Sequence, residues 1–223
     1  MVKSHIIKEL ANSEIDVITA LKRLKVLLSN FPNKKIADWV NSELNGYPKG
    51  AQIPEYRIIY GQIKGSYIVG YMPYNNVPLP LVGLDEETMN QLLTIKLSHS
   101  IGTIVEMIQS KQEWGQSLPS EINSYIMKTT NIASIVSSGV YFQSINLTQV
   151  TTTLESMILD ILLYLEEQFG NLDEMDIDTD SKPDEDLKDI ELHLTQIIYQ
   201  DNHISVGDNT QIKDSDIINQ REE

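Results

Sequence analysis

Residues 148–169 restrict the possible folds more than any other stretch. Val150, Leu154, Met157, Ile158, Ile161, Leu162 and Leu165 recur at helical spacing, after Thr148 as a cap and before Gly170 as a stop. These side chains cover more than one face of the helix, so other elements have to enclose it, and it is predicted to be the central core helix. A chain of 223 residues is long enough to build one core around it.

The enclosing elements can be read from the same periodicity. Residues 2–11 make a short helix through Ile6, Ile7 and Leu10. Ser13, with Asp16 three positions on, has the pattern of a capping box for a second helix carrying Val17, Ile18, Leu21, Leu24, Leu27 and Leu28. Phe31-Pro32 stops it, and residues 34–44 form a third helix with Ile36, Ala37, Trp39, Val40 and Leu44 inward. Short connections make such helices antiparallel neighbours in a bundle. Asp85-Glu86-Glu87 then opens a long helix running to Ile108, with its acidic residues at the positive end of the helix dipole. A shorter helix starts at Leu118-Pro119-Ser120-Glu121 and ends near residue 128.

Between these helices lies a stretch of different character. The junction Glu43-Leu44-Asn45-Gly46-Tyr47-Pro48 closes the third helix, since Gly46 suits a left-handed position and Pro48 cannot continue a helix. Pro54 forces Ile53 to be extended, and six of the ten tyrosines fall between Tyr47 and Tyr74. Residues 56–63 and 66–71 read as two strands around Lys64-Gly65, followed by an extended connector through Pro73, Pro78 and Pro80. Residues 132–146 are rich in β-branched and aromatic side chains, and are expected to form one or two strands around Ser137-Ser138-Gly139 that pair with that hairpin. The tyrosines fit the covering of a small sheet better than a binding face.

The charge is uneven in a way that divides the chain. From Leu165 onward there are 18 acidic and 4 basic residues, so nearly all of the net charge of −15 belongs to the C-terminal part. Residues 171–189 read as an acidic linker extended by its own repulsion, and an acidic end disfavours nucleic acid as a partner. In residues 190–223 a β-rich segment is expected, with Ile190, Leu192 and Leu194 alternating and residues 203–212 forming strand, turn and strand. A unit this small buries its apolar rows only against something else. Self-association through Ile204, Val206, Ile212 and Ile217 is the expected outcome, giving a homo-oligomer.

Candidate chemistry is sparse. There is no nucleophile elbow, no phosphate-binding loop and no H-E-x-x-H, and the four histidines are scattered. Asp176, Asp178 and Asp180 have the opening spacing of a calcium loop, but Ser181 stands where glycine is needed and Leu187 where a glutamate is needed. No catalytic residue, metal ligand or cofactor is therefore assigned. Glu43, Tyr47, Glu55, Tyr56 and Arg57, close in sequence, form the candidate binding set, with a helix-end salt bridge as their simplest explanation. No apolar run approaches a membrane span and the N-terminus lacks a signal-type apolar core, so the expected location is cytoplasmic.

The phrase Trp39-Val40, Glu43-Leu44, Asn45-Gly46-Tyr47-Pro48, then Ile53-Pro54-Glu55-Tyr56-Arg57 resembles the hallmark of the AbiTii family. Pro78-Leu79-Pro80, the Asp85 helix and the long helix ending near Phe169 follow the same layout, so the likeness spans about residues 1–170. Val206-Gly207-Asp208-Asn209 is similar to tails of bacterial defence and phage-associated proteins. The resemblance implies abortive infection, the anti-phage response in which an infected bacterium stops growing or dies before phage are released. The combined expectation is an α+β protein. A mostly helical bundle at residues 1–170 carries a small antiparallel sheet insert (about 55–72 and 132–146), followed by the acidic linker and the short β tail. It would act by binding a phage or host partner, or a ligand, and by self-assembly. The alternatives are an effector enzyme, such as a metal-dependent nuclease or nucleotide hydrolase using Glu43, Glu55 and Arg57, and a structural adaptor for a neighbouring toxin.

Overall fold

The computed structural model describes residues 2–31 and 34–199. At its centre is the expected long helix, α7 (Ser144–Phe169), with Leu147, Leu154, Ile158, Ile161, Leu162 and Leu165 fully buried. In chain order the other helices are α1 (His5–Ala11), α2 (Val17–Leu27), α3 (Lys34–Asn45), α4 (Glu86–Leu93), α5 (Ile101–Ser110), α6 (Ser120–Thr129) and α8 (Asp184–Tyr199). Helices α1, α2, α5 and α8 pack on α7, and α3 packs on α2, α5 and α8. Enclosure on several sides is what its apolar girth demands.

The strands are β1 (Ile58–Tyr60), β2 (Gln62–Val69), β3 (Met72–Pro78), β4 (Thr94–Lys96), β5 (Glu113–Ser117) and β6 (Ile132–Gln143). Four of them form an antiparallel sheet in the order β3-β2-β6-β5, while β1 pairs with β4. The molecule is thus α+β, as expected, with residues 132–143 forming one long strand beside the hairpin.

Several local expectations are corrected by tertiary contacts. The hairpin turns at Gly70 (φ +59°), and Lys64-Gly65 lies inside β2. A Cβ on Gly65 would sit 2.5 Å from the Ser137 carbonyl oxygen, so the glycine there serves a close approach of backbones. Pro73 and Pro78 belong to β3, an edge strand, where a missing ladder donor is tolerated. The expected helix from Asp85 to Ile108 is broken by β4 and a short link before α5, and Ser100 caps α5 by accepting from the Thr103 amide. Helix α7 starts at Ser144, four residues before Thr148. Strand β6 runs straight into it, and Gln143 and Asn146 form a reciprocal capping box. Asp16, and not Ser13, is the cap of α2, accepting from the Thr19 amide at 2.6 Å.

The largest difference lies past Phe169. Within residues 171–189, expected as an extended linker, Leu172 and Ile177 are buried in the core. Residues 184–199 are helical instead of linker followed by strand. Ile190, Leu194 and Ile198, four apart, face inward while Leu192 stays exposed. Pro183 stands just before α8, and Asp184, Glu185 and Asp186 occupy its first turn, where the helix dipole favours negative charge. Repulsion therefore gives way to a dipole contact and an apolar stripe. The residues expected to self-associate, Ile204, Val206, Ile212 and Ile217, lie outside the described residues.

The N-terminus is fastened to this region. Glu166, buried near the end of α7, accepts from the Lys3 ammonium, the Ser4 amide and the Ser4 hydroxyl, each at 2.6 Å. The Ser4 hydroxyl oxygen accepts from the Leu172 amide, and the Asp173 carboxylate accepts from the His5 amide. Burial alone would raise the Glu166 carboxyl, but the hydrogen bonds from Lys3 and Ser4 outweigh it and hold the carboxyl below its ordinary range.

Candidate functional site

The turn between α3 and β1 places four of the five candidate residues around one buried point. Gly46 (φ +95°) ends α3 in a left-handed conformation, which swings Tyr47 back over the helix. Pro54 starts a 3-10 turn at Glu55–Arg57, and this turn sends Tyr56 and Arg57 toward Glu43 on the last turn of α3. Glu43 and Arg57 are both fully buried. Glu43 Oε1 accepts from the Tyr47 hydroxyl at 2.5 Å, the Tyr56 hydroxyl at 2.6 Å and Arg57 Nε at 2.7 Å. Its Oε2 accepts from Arg57 Nη2, which makes the ion pair a two-point fork. The Arg57 guanidinium also lies 5.0 Å from the centre of the Tyr47 ring. Trp39, on α3, donates its indole N–H to the Tyr56 hydroxyl at 3.0 Å.

The node also fixes a distant segment. Arg57 Nη1 donates to the carbonyls of Leu97 (3.1 Å) and His99 (2.7 Å), and the Tyr47 amide donates to the carbonyl between them, Ser98 (2.7 Å). The Leu97 amide returns a bond to the Arg57 carbonyl. Three consecutive carbonyls at residues 97–99 are thus held from one side, directly before α5. Sequence reasoning missed these partners because they are main-chain groups some 40 residues away, and main-chain acceptors carry no side-chain signature.

The electrostatics are those of a saturated buried pair. Burial lifts the Tyr47 and Tyr56 hydroxyls well above the ordinary tyrosine range, and the adjacent Glu43 carboxylate pushes both the same way. Burial works against the charge on Arg57, but hydrogen bonding and attraction to Glu43 outweigh it and the net shift is upward. Four donors converge on the Glu43 carboxylate, three on Oε1 and one on Oε2. The node is suited to holding structure, with Glu43 fully buried and engaged by four donors. Glu55 is exposed at the start of the 3-10 turn, outside the node. Among the described residues no group of histidines and carboxylates is arranged to hold a metal ion. Within the same residues no helix is long and apolar enough to cross a membrane.

What the node offers to the outside is a cleft of about 750 Å³ between α3, the 46–52 turn and α8. Trp39 and Tyr47 contribute to its floor, Asn41 and Asn45 stand on α3, and Thr195 and Tyr199 form the wall on α8. This volume is in the range of small-molecule and peptide-anchor sites. Lys34 and Lys35 line it as well, with Asp38 between them and Trp39. Burial, with Asp38 and Glu43 nearby, raises the Tyr199 hydroxyl above its ordinary range.

Comparison with curated proteins and with solved structures finds no match for this chain. The family model described as AbiTii matches residues 4–190, from the Ser4 contact with Glu166 to Ile190 within α8. With most of its length matched, including the node and the central helix, the chain belongs to the AbiTii family.

Proposed function

We propose that this protein serves bacterial anti-phage defence by abortive infection, and that it works through binding and self-assembly. Family membership supports the defence role. The observation that carries the mode of action is the shared position of α8. Its Thr195 and Tyr199 wall the cleft over the Glu43 node, and its end leads in sequence into residues 200–223. A phage or host molecule seated in the cleft would press on the same helix that carries the assembling segment, with Ile204, Val206, Ile212 and Ile217 as its apolar contacts. In this reading Glu43, Tyr47, Tyr56 and Arg57 shape the site from beneath, and only Tyr47 reaches the cleft lining.

The effector-enzyme alternative would use Glu43, Glu55 and Arg57 around a metal. Glu43 and Arg57 are paired with one another and Glu55 is exposed outside the node, an arrangement that does not support that alternative. The adaptor alternative predicts no protection by this protein expressed alone.

Two chain lengths and one substitution test the proposal. Light scattering should give a larger particle for the full chain than for a version ending at Tyr199, and only the full chain should protect cells challenged with phage. Gln52→Trp, which fills the cleft from an exposed position, should abolish protection while leaving assembly intact. Equal particle size for both lengths would end the assembly claim, and full protection by Gln52→Trp would end the cleft claim.

A further inference from the structure

The two edges of the four-stranded sheet are built differently. Strand β3, at one edge, carries Pro73 and Pro78, and prolines on an edge strand deter the addition of a further strand. Strand β5, at the other edge, reads Glu113-Trp114-Gly115-Gln116-Ser117 and has none. Its one charge is matched, since the Glu113 carboxylate accepts from the Lys64 ammonium at 2.6 Å. Among the described residues β6 is the only ladder partner of β5. The Leu118 amide donates to the Ser138 carbonyl, so by alternation Trp114 and Gln116 bond to β6. The main-chain groups of Glu113, Gly115 and Ser117 therefore point away from it.

Beside this edge lies a cavity of about 590 Å³ between β5, α5 and residues 95–99. Gly115 lines it, and a Cβ there would stand 2.5 Å from the Tyr141 ring, so the position offers main chain alone. The lining is mixed. Leu97, Met107 and Phe142 are buried and apolar, whereas Lys96, His99 and Glu106 are exposed. Lys96 and Gln116 also line a neighbouring hollow of about 930 Å³ against α4, which lengthens the cavity into a groove. An open strand edge between apolar and polar walls fits an extended chain whose side chains alternate in the same way.

We infer that the occupant is residues 203–206 of a second copy of this chain, added to β5 as a fifth strand of the sheet. This deepens the assembly reading above and rests on it. The stretch His203-Ile204-Ser205-Val206 alternates polar and apolar residues and is nearly as long as β5. It holds no Asp, Glu, Lys or Arg that would have to shed its water in the groove. It belongs to residues 200–223, which continue the chain past α8 and span up to about 80 Å when extended, enough to reach a neighbouring molecule. Main-chain bonds from Glu113, Gly115 and Ser117 hold the added strand, and Ile204 and Val206 turn toward Leu97, Met107 and Phe142. The groove shares no lining residue with the α3–α8 cleft, so a molecule in that cleft leaves it free.

The chain has no cysteine, so a nitroxide attached through Ser205→Cys marks a single site. Full-length protein carrying the nitroxide at natural isotope abundance is refolded together with full-length protein labelled with nitrogen-15, so that only contacts between copies are read. The amide signals of residues 113–117 and 96–99 should lose intensity, and those of β3 should keep theirs. Ser117→Pro removes one outward amide and none of the bonds to β6. It should reduce the full chain to the particle size of the version ending at Tyr199, with its circular dichroism unchanged. The inference is overturned if the signal loss falls elsewhere, or appears only when nitroxide and nitrogen-15 share one chain. It is overturned equally if a folded Ser117→Pro assembles as the parent does, and the nitroxide result decides alone if that variant does not fold. Signal loss elsewhere in an assembling protein would leave the assembly reading standing, whereas equal particle size for the two chain lengths would end both.

Discussion

Replacing Arg57 by methionine keeps most of the side-chain volume and removes every contact that the guanidinium makes in the node. Glu43 would remain buried with only the two tyrosine hydroxyls as donors, and the carbonyls of Leu97 and His99 would lose their shared partner. Removing one member of a buried ion pair costs about 3–5 kcal/mol, because the other charge is left uncompensated. For a chain of this size that is a fall of about 6–20 °C in melting temperature. Glu43→Leu should cost a similar amount, since it strands Arg57. The double variant should be more stable than the sum of the two losses by about 2 kcal/mol or more, because it removes both stranded charges together. Denaturant unfolding, followed by circular dichroism and by tryptophan fluorescence, measures all four proteins. A loss below about 1 kcal/mol for Arg57→Met, or losses that add within about 0.5 kcal/mol, would refute the account of the node as a coupled buried pair.

Gly46→Ala should destabilise by about 2 kcal/mol, since the left-handed backbone penalises a side chain. Its Cβ would also stand 3.0 Å from the Ser98 carbonyl oxygen. Faster hydrogen exchange at the Tyr47 amide would report the loosened clamp, and an unchanged rate would count against it. The Glu166 carboxyl titrates below its ordinary 4.5 in the folded protein. Its stabilisation is therefore complete above that range and is lost as pH falls through it, from about pH 5 downward. The Ser4 amide should lose exchange protection over this window in the parent, whereas in Glu166→Gln its protection should be low and flat with pH. Leu154→Ala, fully buried in the middle of α7, should cost about 2–5 kcal/mol in the same denaturant assay.

The bundle was legible because its signals are local. The spacing of Val150, Leu154, Ile158 and Leu165 named the core helix, and the Gly46-Tyr47-Pro48 and Pro54-Glu55-Tyr56-Arg57 pair located the node. What went unread depends on partners distant in sequence. Gly65 looks like a turn residue until the Ser137 carbonyl is placed against it. The stretch from Asp85 to Ile108 is helical by periodicity, yet β1 and Arg57 draw residues 94–99 out of the helix. Ile190, Leu192 and Leu194 satisfy a period of two as well as Ile190, Leu194 and Ile198 satisfy a period of four, and the surfaces of α7 and α3 decide between them. Strand β5 carries two glutamine or glutamate residues and a glycine, so its sequence has little strand character and its pairing with β6 defines it. The candidate set itself was found for its clustering, while the burial that makes it a support came from contacts that no spacing reveals.

The clamp on residues 97–99 bears on how genetics of this protein should be interpreted. A screen for alleles that abolish protection will reach Glu43 and Arg57 early, and such hits invite the label of a catalytic dyad. The same alleles would loosen Tyr47 on the floor of the cleft and release the 97–99 carbonyls that one guanidinium and one amide hold. Conservative replacements at these positions should therefore behave as thermosensitive mutants, protecting cells in the cold and failing in the warm, a signature that lost chemistry would not give.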